Sequence, residues 1–238
     1  MRRVLSSPLI SDLLAYVKVN DGLHFIDAGG PQVFKSIRFD IANRSLPIGI
    51  FLDLKIFDGS AAMENVLKKY VALFPPDILT VSSSCSVAGI VKLRKLLPNT
   101  KLAIVSVLAD IGEDECYARF QMTPSEKITA DLFGIRRVYF EYLGKDENLK
   151  PEPFDMIVCA SKELRTLKGL FGEEYEFIVS ERVAGVKEAL ENGANYVVME
   201  PQLIKGGPEA KITSKQGCLM AREQIELFEV ESGKVLKV

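Results

Sequence analysis

Asp53, Lys55 and Asp58 stand close together in the stretch Leu52-Asp53-Leu54-Lys55-Ile56-Phe57-Asp58-Gly59, which closes an apolar run beginning at Ile48. On an extended chain, residues two apart project to the same face, so Asp53 and Lys55 share a side and Asp58 follows just past the strand end. A lysine among carboxylates in a poorly solvated place keeps its charge only if those carboxylates outweigh its desolvation. Three charges converging where a strand stops form an array that can act on a bound molecule. The same spacing is also that of a structural ion pair, and the choice between the two depends on the rest of the chain.

The elements that must position these residues can be read from the alternation of short apolar runs rich in Val and Ile with longer stretches of helical period. Strands are expected near Arg3–Leu5, Tyr16–Val19, Ile48–Asp53, Ile78–Ser82, Leu102–Val107, Met156–Cys159, Glu176–Val179 and Tyr196–Met199. Most carry apolar residues consecutively, as strands covered on both faces do. Between them, helices are expected over Pro31–Ala42, Ser60–Phe74, Ser86–Leu97, Pro124–Leu132, Lys162–Phe171, Arg182–Asn192 and Lys215–Leu227, with Pro31 and Pro124 at first-turn positions where a missing N–H costs little. Eight parallel strands alternating with helices argue for one (β/α)8 barrel over residues 1–238. In that fold the C-terminal strand ends carry the chemistry, and Lys18, near the end of the second strand, becomes a rim neighbour of Asp53 and Lys55. A lysine at a buried strand end without a partner is costly, so one charged cluster explains both strand ends better than two separate accidents.

Two segments exceed a minimal barrel. Residues Leu108 to Asp155 are longer than one crossover and contain Arg137-Val138-Tyr139-Phe140-Glu141-Tyr142, which reads as an additional short strand. Near the end, Glu226-Leu227-Phe228-Glu229-Val230 and Val235-Leu236-Lys237-Val238 flank Glu231-Ser232-Gly233-Lys234, a hairpin signal over 226–238. The two could pair as a small decorating β element.

Composition narrows the function classes. The chain has 238 residues, 47% hydrophobic and 26% charged, with a net charge of -2. There is no basic run and no tryptophan, so nucleic acid is not an expected partner. The first residues, Met1 to Pro8, are positively charged but lack a long apolar stretch, and no apolar run is long enough to span a bilayer, so neither a signal peptide nor membrane association is expected. Cys85, Cys116, Cys159 and Cys218 are scattered without a Cys-x-x-Cys, and His24 is the only histidine. Zinc and disulfide frameworks are therefore not expected, and a reducing cytoplasm is the natural compartment. Gly29-Gly30-Pro31 reads as the start of a helix rather than a dinucleotide fingerprint.

The chain resembles the orotidine 5'-phosphate decarboxylase family, of the bacterial-like branch. Phe51-Leu52-Asp53-Leu54-Lys55-Ile56-Phe57-Asp58 is similar to the family's third-strand signature, and Val17-Lys18-Val19 through Ala28-Gly29-Gly30-Pro31 to its second strand and following helix. Leu102 to Leu108 with Thr123-Pro124-Ser125-Glu126, Phe154 to Ser161, and Val186 to Met199 resemble its later units. The resemblance implies decarboxylation of a pyrimidine nucleotide, orotidine 5'-phosphate to uridine 5'-phosphate in pyrimidine biosynthesis, without metal or cofactor. It implies that the substrate carboxylate meets Asp53, that Lys55 protonates the carbon losing CO₂, and that Lys18 holds Asp53. It further implies that Asp58 reaches across a two-fold dimer to complete the partner's array, giving a homodimer with shared sites.

The chain also departs from the family. Ser6-Ser7 stands where the family has a ribose-binding aspartate, and Gly59-Ser60-Ala61-Ala62 replaces the residues after the signature. Ala109-Asp110 replaces hydroxyls that meet the pyrimidine, and the phosphate loop after the seventh strand is shortened to Ser180-Glu181-Arg182-Val183. Met199-Glu200 stands in place of a phosphate-holding Gly-Arg, and a glutamate there repels phosphate. If an anion binds, Arg182 and Lys205-Gly206-Gly207 are the candidates, although Gly206-Gly207-Pro208 also reads as a plain turn. Three readings follow: this decarboxylase with a rebuilt binding site, a superfamily enzyme with another substrate, or a non-catalytic barrel whose charges form an ion-pair network at a dimer interface. Magnesium-dependent sugar-phosphate branches carry an acid where this chain has Lys18.

Overall fold

A computed structural model describes residues 14–20, 31–71, 75–146, 148–181, 185–199 and 219–226. The chain divides into two compact units, one spanning Tyr16–Ile157 and the other beginning at Val158.

In the first unit the βα alternation is regular: β1 (Tyr16–Asn20), α1 (Pro31–Asn43), β2 (Gly49–Ile56), α2 (Ser60–Val71), β3 (Ile78–Ser82), α3 (Val87–Leu96) and β4 (Lys101–Val105). Each strand pairs in parallel with the next, with Asn20 opposite Asp53, Leu52 opposite Leu79, and Thr80 opposite Ala103. The consecutive apolar residues bury on both faces: Ile50, Leu52, Ile78, Leu79, Leu102 and Ala103 are all inaccessible to solvent. Helices α2 and α3 approach closely at Gly89, where an added Cβ would run into the Met63 sulfur.

Two helices follow β4, α4 (Glu113–Phe120) and the long α5 (Pro124–Leu143). A capping box starts α5: the Glu126 N–H donates to the Thr123 hydroxyl, the Glu126 carboxylate accepts from the Thr123 N–H at 2.8 Å, and Pro124 fills the first turn. The extra strand expected at Arg137–Tyr142 is instead the last turns of α5. Its β-branched and aromatic residues favour a strand locally, but Ile128, Leu132, Ile135 and Tyr139 bury at helical spacing, while Phe133 and Phe140 stay exposed. A decorating β element from this segment is therefore ruled out. Of the hairpin expected over 226–238, Glu226 ends the helical run 219–226, and residues 227–238 lie outside those described.

The second unit continues the alternation. After β5 (Met156–Cys159) at the boundary come α6 (Ser161–Phe171), β6 (Glu176–Glu181), α7 (Val186–Glu191) and β7 (Tyr196–Met199), with β6 and β7 parallel. The strand expected at Arg3–Leu5 lies outside the described residues. The seven described strands stand in sheet order as they do in sequence, the topology of a (β/α)8 barrel.

One device recurs where strands begin. Asp77, just before β3, donates its N–H to the Ile50 carbonyl at 3.0 Å and accepts the Ile50 N–H on Oδ2 at 2.7 Å. Asp155, before β5, does the same with Leu102 at 2.9 and 2.8 Å, and Asn195, before β7, with Phe177 at 3.0 and 2.8 Å. Each residue closes a two-bond clamp onto the preceding strand, satisfying a backbone donor that the ladder leaves open. Arg38 pairs with Asp77 at 2.9 Å and buried Arg94 with Asp155 at 2.6 Å, so helices are tied into the same clamps.

Candidate active site

Three adjacent strands of the first unit build the site. Asp53 near the end of β2 is 2% exposed, and its Oδ2 receives Lys55 Nζ at 2.7 Å and Lys18 Nζ, from β1, at 3.0 Å. The other oxygen, Oδ1, accepts the Thr80 hydroxyl from β3 at 2.8 Å. Burial pushes the Asp53 carboxyl up, but the Lys55 hydrogen bond, the Lys18 charge, and the hydrogen bonds from Lys18 and Thr80 hold it below its ordinary value. Because the folded value is depressed, the stability this carboxylate adds is complete above the ordinary carboxylate range and is lost as pH falls through the folded value.

The side chains converge as expected from their spacing, but the backbone between them is not plain extended chain. Leu52 faces Leu79 and Ile56 faces Val81, so Asp53, Leu54 and Lys55 all lie opposite the single residue Thr80. Lys55 takes φ 46°, the left-handed region that non-glycine residues rarely adopt, and its N–H donates to the Thr80 hydroxyl at 2.8 Å. The bulge thus sets two charged side chains of β2 around one threonine of β3. Lys18 also lies over the Phe51 ring, 5.9 Å from its centroid.

Asp58 does not join this cluster among the described residues. It is exposed past the end of β2; its Oδ1 accepts the Gly59 N–H at 2.7 Å, and its backbone carbonyl accepts from Ser86. Phe57 beside it is 69% exposed. Arg182, Lys205, Gly206 and Gly207, with Ser6, Ser7 and Glu200, lie outside the described residues. Ala109-Asp110 forms an exposed turn after β4.

Two features escaped the sequence reading. Thr80 is one; a polar residue inside the apolar run Ile78-Leu79-Thr80-Val81 is the signal that a partner waits on a neighbouring strand. The other is Asp131 of α5, which accepts Ser83 Oγ at 2.6 Å and Ser106 Oγ at 2.7 Å from just beyond β3 and β4, and Lys127 Nζ at 2.5 Å. Burial raises the Asp131 carboxyl, and the bonds from Lys127, Ser106 and Ser83 outweigh it, leaving the group below its ordinary value. This second cluster pins α5 to the ends of two strands. No group of acids, histidines and cysteines suited to a metal ion occurs among the described residues, and no described helix is long and apolar enough to cross a membrane.

No family model matches the chain, nor does any curated protein. Solved structures do. Orotidine 5'-phosphate decarboxylase from Pyrococcus horikoshii OT3 matches with TM-score 0.61 at 14% identity, over 92% of this chain and 90% of that one. The Methanocaldococcus jannaschii orotidine 5'-monophosphate decarboxylase, complexed with the inhibitor BMP, matches with TM-score 0.60 at 14% identity over 93% and 90%. The 3-keto-L-gulonate-6-phosphate decarboxylase from Vibrio cholerae matches with TM-score 0.55 at 16% identity over 92% and 88%. This chain therefore shares the (β/α)8 fold on which those decarboxylases are built.

Proposed function

We propose that the chain is a diverged member of the orotidine 5'-phosphate decarboxylase superfamily, and that Lys18, Asp53 and Lys55 remove CO₂ from a nucleotide-like substrate. Orotidine 5'-phosphate, giving uridine 5'-phosphate in pyrimidine biosynthesis, is the substrate to test first. The observation that carries this reading is the buried Asp53 carboxylate held by two ammonium groups from adjacent strands. A substrate carboxylate set against Asp53 is repelled in the ground state, and that repulsion falls as the C–CO₂ bond breaks. The bonding pair stays on the ring carbon, CO₂ departs, and the Lys55 ammonium gives that carbon a proton. Both lysines stabilise the charge that builds there, with Lys18 continuing to hold Asp53. Lys55 is 37% exposed at its side chain, enough for a substrate to reach it. The donor set suits chemistry without a metal ion, since a cation on Asp53 Oδ2 would compete with two ammonium groups already there.

Exposed Asp58 beside exposed Phe57 supports a homodimer in which Asp58 of the partner subunit completes each array. Arg182 and Lys205-Gly206-Gly207 remain the proposed phosphate contacts. The buried thiols of Cys85 and Cys159 suit a reducing cytoplasm. A different substrate at the same array is the second reading, favoured by the Ala109-Asp110 turn, which offers no hydroxyl to a pyrimidine.

The test is the ultraviolet absorbance change of orotidine 5'-phosphate with purified protein and with Lys55→Ala. Turnover is expected from the wild type and none from the variant, whose circular dichroism should be unchanged. Equal turnover by both would remove Lys55 from the chemistry; none by either would turn the search to other phosphorylated acids.

A further inference from the structure

Thr80 is fully buried in β3, and its one hydroxyl makes two hydrogen bonds of opposite sense. It donates to Asp53 Oδ1 at 2.8 Å and accepts the Lys55 backbone N–H at 2.8 Å. The direction is forced: an ionised carboxylate only accepts, so the single hydroxyl proton goes to Asp53 and the lone pairs are left for Lys55. Valine has nearly the same shape and would fill the slot without either bond. Packing alone therefore does not call for a hydroxyl here.

Lys55 needs such a hold. Its left-handed backbone is strained for a residue with a Cβ and persists only where its surroundings fix it. The register shift that leaves Asp53, Leu54 and Lys55 opposite Thr80 puts the threonine where it can fix both ends of that three-residue arc. We infer that Thr80 is the positioning residue of the array: its hydroxyl aims the Asp53 carboxylate at Lys18 and Lys55, and locks Lys55 in the conformation that brings its ammonium onto Asp53. The kinetic part of this inference rests on the decarboxylase reading; the geometric part does not.

The experiment compares wild type, Thr80→Val and Thr80→Ser in two measurements. The first follows the Asp53 carboxyl carbon by NMR through a pH titration, with Lys18 and Lys55 the charged groups facing it. In Thr80→Val the midpoint should move upward, because one hydrogen bond favouring the ionised form is gone, and Thr80→Ser should restore it. The second measures turnover of orotidine 5'-phosphate: in Thr80→Val kcat should fall about tenfold or more with KM within about twofold, and serine should rescue it. An Asp53 midpoint unchanged by valine overturns the inference, as does a serine variant that behaves like valine. If the wild type does not turn over this substrate, the titration alone decides, and the failure belongs to the choice of substrate. If Thr80→Val does not fold, Thr80→Cys, whose thiol is a weak donor, takes its place in the same titration.

Discussion

Lys55 combines two demands at one position, a cationic side chain on Asp53 and a backbone in the left-handed region. The second can be tested apart from the first. In an ordinary strand glycine is less stable than alanine, but at φ 46° a Cβ is a burden and its removal a relief. Lys55→Gly and Lys55→Ala both delete the ammonium, so their difference isolates the backbone. Lys55→Gly should be the more stable by about 1 kcal/mol in urea unfolding, and the ordinary order would show that the strand straightens once the lysine is gone. The convergence of Asp53 with Lys55 was legible from their spacing, and that of Lys18 from the barrel rim. The conformation that produces the contact was not, because nothing in Asp53-Leu54-Lys55 is glycine or asparagine, the usual marks of positive φ. Thr80 was missed because threonine is a common strand residue, and only the register shows what it faces.

Among the elements, the clamps before β3, β5 and β7 repeat one geometry with different surroundings, which sets their relative worth. Asp155→Ala leaves the Arg94 guanidinium, 1% exposed, without its carboxylate, and should cost about 3–5 kcal/mol. Asn195→Ala removes a neutral acceptor from the Phe177 N–H and should cost about 1–3 kcal/mol. Urea unfolding of the two variants checks the ranking; equal losses would mean that Arg94 finds sufficient hydrogen bonding at the Pro153 carbonyl, to which Nε already donates at 3.1 Å. The strands at Ile78–Ser82, Met156–Cys159 and Tyr196–Met199 have the bounds expected from their apolar runs, since short blocks rich in Val and Ile flanked by polar residues leave little choice. The error at Arg137–Tyr142 has an equally physical cause. Strand preference there is a local property, whereas the capping box at Thr123 commits a helix whose buried stripe continues to Tyr139.

For the whole molecule, the proposed dimer makes each active site the product of two chains, and this can be tested without a structure of the assembly. Lys55→Ala and Asp58→Ala should each be inactive alone. Mixed and allowed to exchange subunits in equal amounts, they should regain about a quarter of wild-type turnover, because a mixed dimer holds one site with both residues intact. No recovery would mean that Lys55 and Asp58 act within one chain, or that Asp58 has no part in catalysis. The barrel topology could be anticipated because it is written in a repeating pattern, while the substrate could not, because it depends on loop residues that vary freely on a constant scaffold. Cys85, Cys116 and Cys159 are all buried, with burial pushing the Cys85 thiol up to about 11 and the Cys159 thiol to about 12. In the folded protein all three are thus hidden from alkylating reagents, and Cys85 and Cys159 are also short of the thiolate that would react. Each is a silent timer: its rate of modification counts how often the structure around that sulfur comes apart, giving the native chain three built-in gauges of local opening.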